Sequence, residues 1–158
     1  MKTLIAYATK YGATEKAARK LAEQLSGEVE LINLVQKRTP DISGCDRVII
    51  GGSIYCGNIQ EEVKQFSSEN QQQLLQQPLG LFICCKDEEN ADEQLQNAFD
   101  PQLVQHAAHT GYFGYEYNFR KMNFFLRMLI RKFARIKESQ FKLREENISD
   151  FARKMDSE

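Results

Sequence analysis

Leu4-Ile5-Ala6-Tyr7-Ala8-Thr9-Lys10-Tyr11-Gly12-Ala13-Thr14 is the stretch that decides the fold. It opens with five apolar residues and closes with a hydroxyl-bearing loop that holds a single glycine. Beyond it, Ala17, Ala18, Leu21, Ala22 and Leu25 recur at helical spacing. A strand that passes into a helix through such a loop gathers backbone N–H groups at the helix N-terminus, with the Thr9 and Thr14 hydroxyls beside them. Unpaired amides and the helix dipole favour a phosphate at that point.

Outward from this stretch, apolar runs alternate with amphipathic segments. Strands are expected over residues 2–8, 28–34, 46–52, 79–85 and 109–115, and helices over 13–25, 59–75, 91–98, 119–137 and 144–155. The first, third and fourth strands are continuous apolar runs, as parallel strands covered on both faces require. The alternation predicts an α/β, doubly wound, five-stranded parallel sheet in the order 2-1-3-4-5, with an extra helix after strand five. In that order ligands bind outside the C-terminal ends of the strands, where strands one and three diverge. Three loops fall there: Thr9 to Thr14, then Ser53-Ile54-Tyr55-Cys56-Gly57-Asn58, then Cys84-Cys85-Lys86-Asp87.

The 158 residues suit one domain over 1–158, and 42% hydrophobic with 27% charged residues is a soluble globular composition. Met1-Lys2-Thr3 enters a strand at once, so no signal peptide is expected. The apolar runs are shorter than a membrane span. Cys45, Cys56, Cys84 and Cys85 show no metal-ligand spacing, and an adjacent pair suits a reducing cytoplasm better than a disulfide. His106 and His109 lack nearby ligand partners, so they read as structural, and no metal site is expected.

The phosphate loop is not a Walker loop, because Lys10 precedes Gly12 instead of following a glycine. Nor is it the dinucleotide fingerprint, which needs three spaced glycines. Thr9-x-x-Gly12-x-Thr14 resembles the FMN phosphate loop of flavodoxins. Within that superfamily the chain is most similar to the menaquinone-dependent protoporphyrinogen IX dehydrogenases. The shared marks are Met1-Lys2-Thr3-Leu4-Ile5, Asp46-Arg47-Val48-x-Ile50-Gly51, Ser53-Ile54-x-x-Gly57, Asp150-Phe151-Ala152-Arg153, and Tyr112, Tyr115 and Tyr117 before a basic helix.

The resemblance implies FMN held by the three loops, with Tyr55 able to stack on the isoalloxazine and Lys86 a candidate to stabilise its reduced form. It also implies electron transfer from a reduced substrate, a porphyrinogen in the family, to a quinone. The chain departs from the family in the middle loop, where Tyr55-Cys56 stand in place of Arg-Tyr, and in lacking a Gly-Gly-rich stretch after the basic helix. Both departures bear on the substrate more than on FMN.

Residues 119–137 carry seven basic and no acidic residues, leaving 14 basic against 22 acidic in the rest of the chain. On a helical wheel Met122, Phe125, Leu126, Leu129, Phe133 and Ile136 share one face, the one expected to pack inward. Arg120, Arg127, Arg131 and Arg135 share the other, interrupted by Phe124 and Met128. Arg120, Phe124, Arg127, Met128 and Arg131 are therefore expected to dock an anionic membrane surface or an acidic redox partner. The expected setting is the cytoplasm, with the inner face of its membrane as the candidate contact surface, no nucleic-acid partner and an open oligomeric state. No Ser, Cys–His or paired-carboxylate arrangement marks a catalytic residue.

The second reading is a flavodoxin-type electron carrier with a redox protein partner and no substrate of its own. A phosphorylatable receiver module is set aside, because Thr9, Lys10, Gly52 and Ser53 occupy the positions where it needs an acidic cluster.

Overall fold

The structure, a computed structural model, describes residues 1–133 and 135–158. Five parallel strands form the central sheet: β1 Lys2–Tyr7, β2 Glu28–Asn33, β3 Arg47–Ser53, β4 Leu79–Cys84 and β5 His109–Tyr112. Their order is β2-β1-β3-β4-β5. Tyr7 stands opposite both Asn33 and Gly51, and Ser53 stands opposite Cys84, so β1, β3 and β4 end at nearly one level.

Alternation along β1 divides the core. Leu4, Ala6 and Ala8 face one cluster, built with α2 (Glu61–Glu69), α3 (Gln71–Leu74), α4 (Ala91–Ala98) and α5 (Pro101–His106). Ile5 and Tyr7 face the other, built with α1 (Ala13–Ala22) and α7 (Glu145–Met155). On this second face Phe82 stacks on Phe113 at 4.5 Å, and Phe151 meets Phe113 edge-on at 5.3 Å. The Phe82 ring fills the space over Gly51, where a Cβ would lie 2.0 Å from its Cζ, so no side chain fits there.

Four segments differ from expectation. The strand expected over 109–115 ends at Tyr112. Gly114, at φ 81°, turns the chain out of the sheet, and β6 (Gly114–Tyr117) then pairs antiparallel with β7 (Gln140–Leu143). The helix expected over 119–137 is a 3₁₀ turn, Phe119–Lys121, followed by α6, Phe124–Phe133. Two asparagines cause the break. The Asn118 carboxamide oxygen accepts from Arg120 N at 3.1 Å, and that of Asn123 accepts from Leu126 N at 2.8 Å, so each starts its own helical turn. Residue 134 of the expected helix lies outside the described residues, and 135–139 are not helical. The helix expected over 59–75 divides at Asn70 into α2 and α3. Helix α5 was not anticipated; Asp100 caps it by accepting from Gln102 N at 2.8 Å, with Pro101 in the first turn.

The excursion from β6 to β7 forms a cap above one end of the sheet. It has its own small core of Phe119, Met122, Ile130 and Ile136, against which Tyr11, Tyr117 and Leu126 pack. Lys16 of α1 pairs with Glu116 at 2.6 Å and ties this cap to the body.

At the opposite end of the sheet, Arg47 is the largest fully buried side chain. Its guanidinium donates to Thr3 Oγ1 at 2.6 Å and to the Met155 carbonyl, and pairs with Asp156 at 2.6 Å. Asp156 also accepts from Ser26 N at 2.9 Å. Partial burial by itself would raise the Asp156 carboxyl, but Arg47 and the Ser26 amide hold it below the usual aspartate range. A depressed carboxyl stabilises the fold above its unfolded-state pKa, and the contribution fades as pH falls through the folded value. Asp156→Asn is thus expected to cost about 2 kcal/mol at pH 7, since it leaves the Arg47 charge buried with weaker partners. In urea unfolding the deficit should stay constant down to about pH 4 and shrink below it. A deficit that grows on acidification would refute this role.

Candidate functional site

The first loop leaves β1 and enters α1 through Gly12. Gly12 sits at φ 94°, and nothing lies within 4 Å of where its Cβ would be. Its N–H donates to Thr9 Oγ1 at 2.9 Å, which fixes the turn. The first helical bond runs from Lys16 N to Gly12 O at 3.0 Å. The amides of Ala13, Thr14 and Glu15 therefore emerge at the helix end without intrahelical partners. No side chain caps this terminus. Thr14 is fully buried, and its hydroxyl meets the Cys84 thiol without making a hydrogen bond of ordinary geometry to any described residue.

The middle loop is a tight turn. Tyr55 and Asn58 exchange backbone bonds of 2.9 and 3.1 Å around Cys56 and Gly57, at φ 50° and 77°. Two successive positive φ angles give a type I′ geometry, which a cysteine adopts only under strain. Gln60 anchors the loop's start: its carboxamide accepts from Ser53 N at 3.0 Å and donates to Ser53 Oγ. Sequence reasoning did not place Gln60 in the site. The third loop follows β4, with Cys85 N donating to Gly114 O at 3.0 Å and Tyr112 Oη donating to Cys85 O at 2.9 Å. In this way the third loop is bonded to the base of the cap.

Two adjoining clefts result. The inner one, about 380 Å³ counting the space open to solvent, is lined by Lys10, Tyr11 and Ala13, by Ser53, Ile54 and Tyr55, and by Cys84 and Cys85. All three expected loops therefore meet on it. Tyr115, Glu116 and Tyr117 of the cap complete the lining. Tyr117 was legible in the sequence only as one of a run of tyrosines. The outer cleft, about 710 Å³ on the same measure, takes in Cys56, Gly57, Lys86 and Asp87, together with Gln94 and, from the cap, Phe133. Ile54, Tyr55, Cys85 and Tyr117 form the wall common to both. Of the remaining expected residues, Thr9, Gly12, Thr14 and Asn58 shape the loops without lining either cleft.

Aromatic rings dominate the inner cleft. Tyr11 meets Tyr55 edge-on at 6.0 Å and Tyr117 at 6.2 Å. Lys10 Nζ stands 3.8 Å above the Tyr55 ring centre, in cation–π contact. Lys10 is therefore the cation that lines the inner cleft, whereas Lys86, singled out from sequence, lines the outer one. Burial and the neighbouring Tyr55 push the Tyr11 phenol above its ordinary range, and burial does the same to Tyr117. Both stay neutral at physiological pH.

The cap residues expected to dock a surface are divided by the structure. Phe124 and Met128 are exposed, as are Arg120 and Arg131. Arg127 is half-buried and donates to the Met122 carbonyl at 3.0 Å, so it is turned partly inward. The apolar face expected to pack inward is also rotated. Leu126 and Ile130 point to the cap core, while Phe125 and Phe133 are exposed.

Burial raises the thiols beside the clefts, Cys84 to about 12 and Cys85 to about 11, whereas Cys56 is exposed. Burial keeps the Cys84 thiol protonated and out of reach of solvent, so it is chemically silent at pH 8. Iodoacetamide at pH 8 is expected to label Cys56 first and Cys84 last, as read by peptide mass mapping. Early labelling of Cys84 in the folded protein would contradict this ordering.

Among solved structures, the chain is similar to a short-chain flavodoxin associated with a non-canonical PDU bacterial microcompartment. Identity is 16% and the TM-score 0.62, over 98% of this chain and 96% of that one. It is similar to Fusobacterium nucleatum flavodoxin bound to flavin mononucleotide, at 12% identity and TM-score 0.56, over 99% of this chain and 97% of that one. A third likeness is to rubredoxin oxygen:oxidoreductase from Desulfovibrio gigas, at 15% identity and TM-score 0.53, covering 98% of this chain but 36% of that longer one. At such identities the likenesses establish the fold alone. No curated protein matches the chain significantly in sequence. The sequence model of the flavodoxin domain matches residues 4–143, most of the chain, which therefore belongs to the flavodoxin domain family.

Proposed function

We propose that this protein is an FMN-dependent oxidoreductase that takes electrons from a reduced organic substrate and delivers them to a quinone, in the manner of the menaquinone-linked protoporphyrinogen dehydrogenases. The observation that carries the reading is the pair of clefts sharing the wall Ile54, Tyr55, Cys85 and Tyr117. An electron carrier needs only an exposed cofactor edge. A second, wider cleft against the same wall suits a protein with a substrate of its own.

The residues present fit FMN. Open space over Gly12, free amides at the start of α1 and the unspent Thr14 hydroxyl suit a phosphate monoester. Tyr11, Tyr55 and Tyr117 offer aromatic faces to a ring system, and Lys10 sets a positive charge beside them. FMN, when bound, supplies the redox chemistry. Tyr11, Tyr55 and Tyr117 would hold its ring system, with Tyr11 and Tyr117 kept protonated, and Lys10 would offset negative charge that develops nearby. Substrate binds in the outer cleft, with Phe133 and Tyr117 as apolar surfaces and Lys86 and Gln94 as polar contacts.

Membership of the flavodoxin domain family supports the second reading, an electron carrier that hands electrons to a redox protein. Anaerobic stopped-flow mixing of the reduced flavoprotein with a menaquinone analogue separates the two. Reoxidation within seconds at micromolar quinone supports the oxidoreductase, and a flavoprotein inert to quinone points to the carrier. Thr14→Val tests the phosphate site. It removes a buried hydroxyl lacking a good partner, so thermal stability without FMN should hold or rise. FMN affinity should fall about 10- to 100-fold, the worth of one charge-assisted hydrogen bond. Unchanged affinity by fluorescence titration would remove Thr14 from the site.

A further inference from the structure

Five of the seven exposed large apolar side chains among the described residues lie between 124 and 141, four of them on α6: Phe124 at 76% exposure, Phe125 at 63%, Met128 at 50% and Phe133 at 58%. The reason is the rotation of α6. Leu126 and Ile130 take the inward stripe against the small cap core, so on a helix turning about 100° per residue the outward arc holds Phe124, Phe125, Met128 and Lys132. Solvent-facing arcs of helices ordinarily carry polar residues, and this one carries two phenylalanines and a methionine.

The charge around this arc is unusual in a second respect. Residues 119–137 hold seven of the chain's 21 basic residues and none of its 22 acidic ones. Among the described residues, none of these seven pairs with a carboxylate, whereas Lys2, Lys16, Arg19, Lys20, Arg47 and Arg144 of the body all do. Unneutralised cations thus surround an apolar arc on a ten-residue helix. No helix among the described residues is long and apolar enough to cross a membrane.

We infer that α6 is an interfacial anchor that seats the cap on an anionic lipid bilayer, with Phe124, Phe125 and Met128 entering the headgroup–acyl boundary and Arg131 and Lys132 meeting lipid phosphates. A helix with an apolar arc and flanking cations lies in the plane of such an interface. Anionic headgroups supply the counter-charge that the chain withholds, and attraction per cation is appreciable near the surface. A second copy of this chain is a poor occupant, because a two-fold contact through α6 would set the same cations against one another. An acidic protein would satisfy the cations while leaving the apolar arc without a hydrocarbon phase.

The chain contains no tryptophan, so Phe124→Trp places a single tryptophan on the arc. The full-length variant is mixed with vesicles of phosphatidylcholine alone or with about 30% phosphatidylglycerol, and binding is read by flotation and emission. The inference expects a blue shift and at least tenfold tighter binding to the anionic vesicles, weakening as salt rises. In the otherwise native chain, Phe124→Ser/Met128→Ser and Arg131→Gln/Lys132→Gln should each abolish flotation. Both pairs are exposed, so FMN binding and thermal unfolding should be unchanged. Absence of flotation with both vesicle types overturns the anchor, and flotation without an emission shift overturns insertion. A concentration-dependent dimer lost in Phe124→Ser/Met128→Ser assigns the arc to a second copy instead. Flotation and tryptophan emission report lipid contact and not flavin chemistry, so the anchor and the redox reading fail separately.

Discussion

Everything in this molecule depends on β1 having parallel neighbours on both sides, with the chain leaving for β2 and returning to β3 across it. The loop after β1 is thereby drawn one way and the loop after β3 the other, and a crevice opens where they part. Packing enforces the arrangement. Gly51 and Phe82 are complementary, the ring occupying space that any side chain on residue 51 would need. That contact brings β3 and β4 to one register and stacks Phe82 on Phe113 beneath Phe151, so the last helix is seated by the same interaction. Arg47 closes the other end, joining β3 to the start of β1 and the end of α7. Such a buried guanidinium adds less net stability than its bonds suggest. It does fix where the C-terminal helix must stop.

The cap depends on this body and alters it in turn. Gly114 turns out of the sheet at a point held by bonds from Cys85 and Tyr112, so the cap begins on the same residues that form the third loop. Tyr11 belongs to the loop between β1 and α1 and yet packs against the cap core. The inner cleft is consequently built from both units. It takes Lys10, Tyr11 and Ala13 from the body and three of its wall residues, Tyr115, Glu116 and Tyr117, from the cap. The fold alone says little about chemistry, which resides in the side chains grafted onto it.

What was legible in the sequence follows from which interactions are local. The apolar runs of β1, β3 and β4 announce strands buried on both faces, and the helix Ala91–Ala98 appears at the residues its periodicity indicates. The three loops were legible because strand order dictates where they converge. The cap was not, for physical reasons. Strand β6 is short and finds its partner β7 more than twenty residues later, so its pairing leaves no local trace. On α6 the wheel offered two apolar-bearing faces, and a tertiary contact chose between them: Ile130 enters the cap core and Leu126 packs against it, as do Tyr11 and Tyr117. Asn118 and Asn123 did carry a readable signal as capping residues, as did Asp100-Pro101 before α5. Lys10 and Lys86 illustrate the limit. Their loops were placed correctly, but which cation faces the inner cleft depends on side-chain directions that spacing does not encode.

The rotation of α6 ties these threads together. A ten-residue helix with aromatic residues on several sides cannot bury all of them against a cap core of four side chains. Whichever stripe packs inward, another must face out. With Leu126 and Ile130 turned inward against the cap core, Phe124 and Phe125 are left outside. The cations are a separate feature of the sequence, since charged residues of either sign would have kept the surface wetted and only one sign is present. An apolar arc that packing leaves outside, ringed by a single sign of charge, has two causes that converge on the same surface.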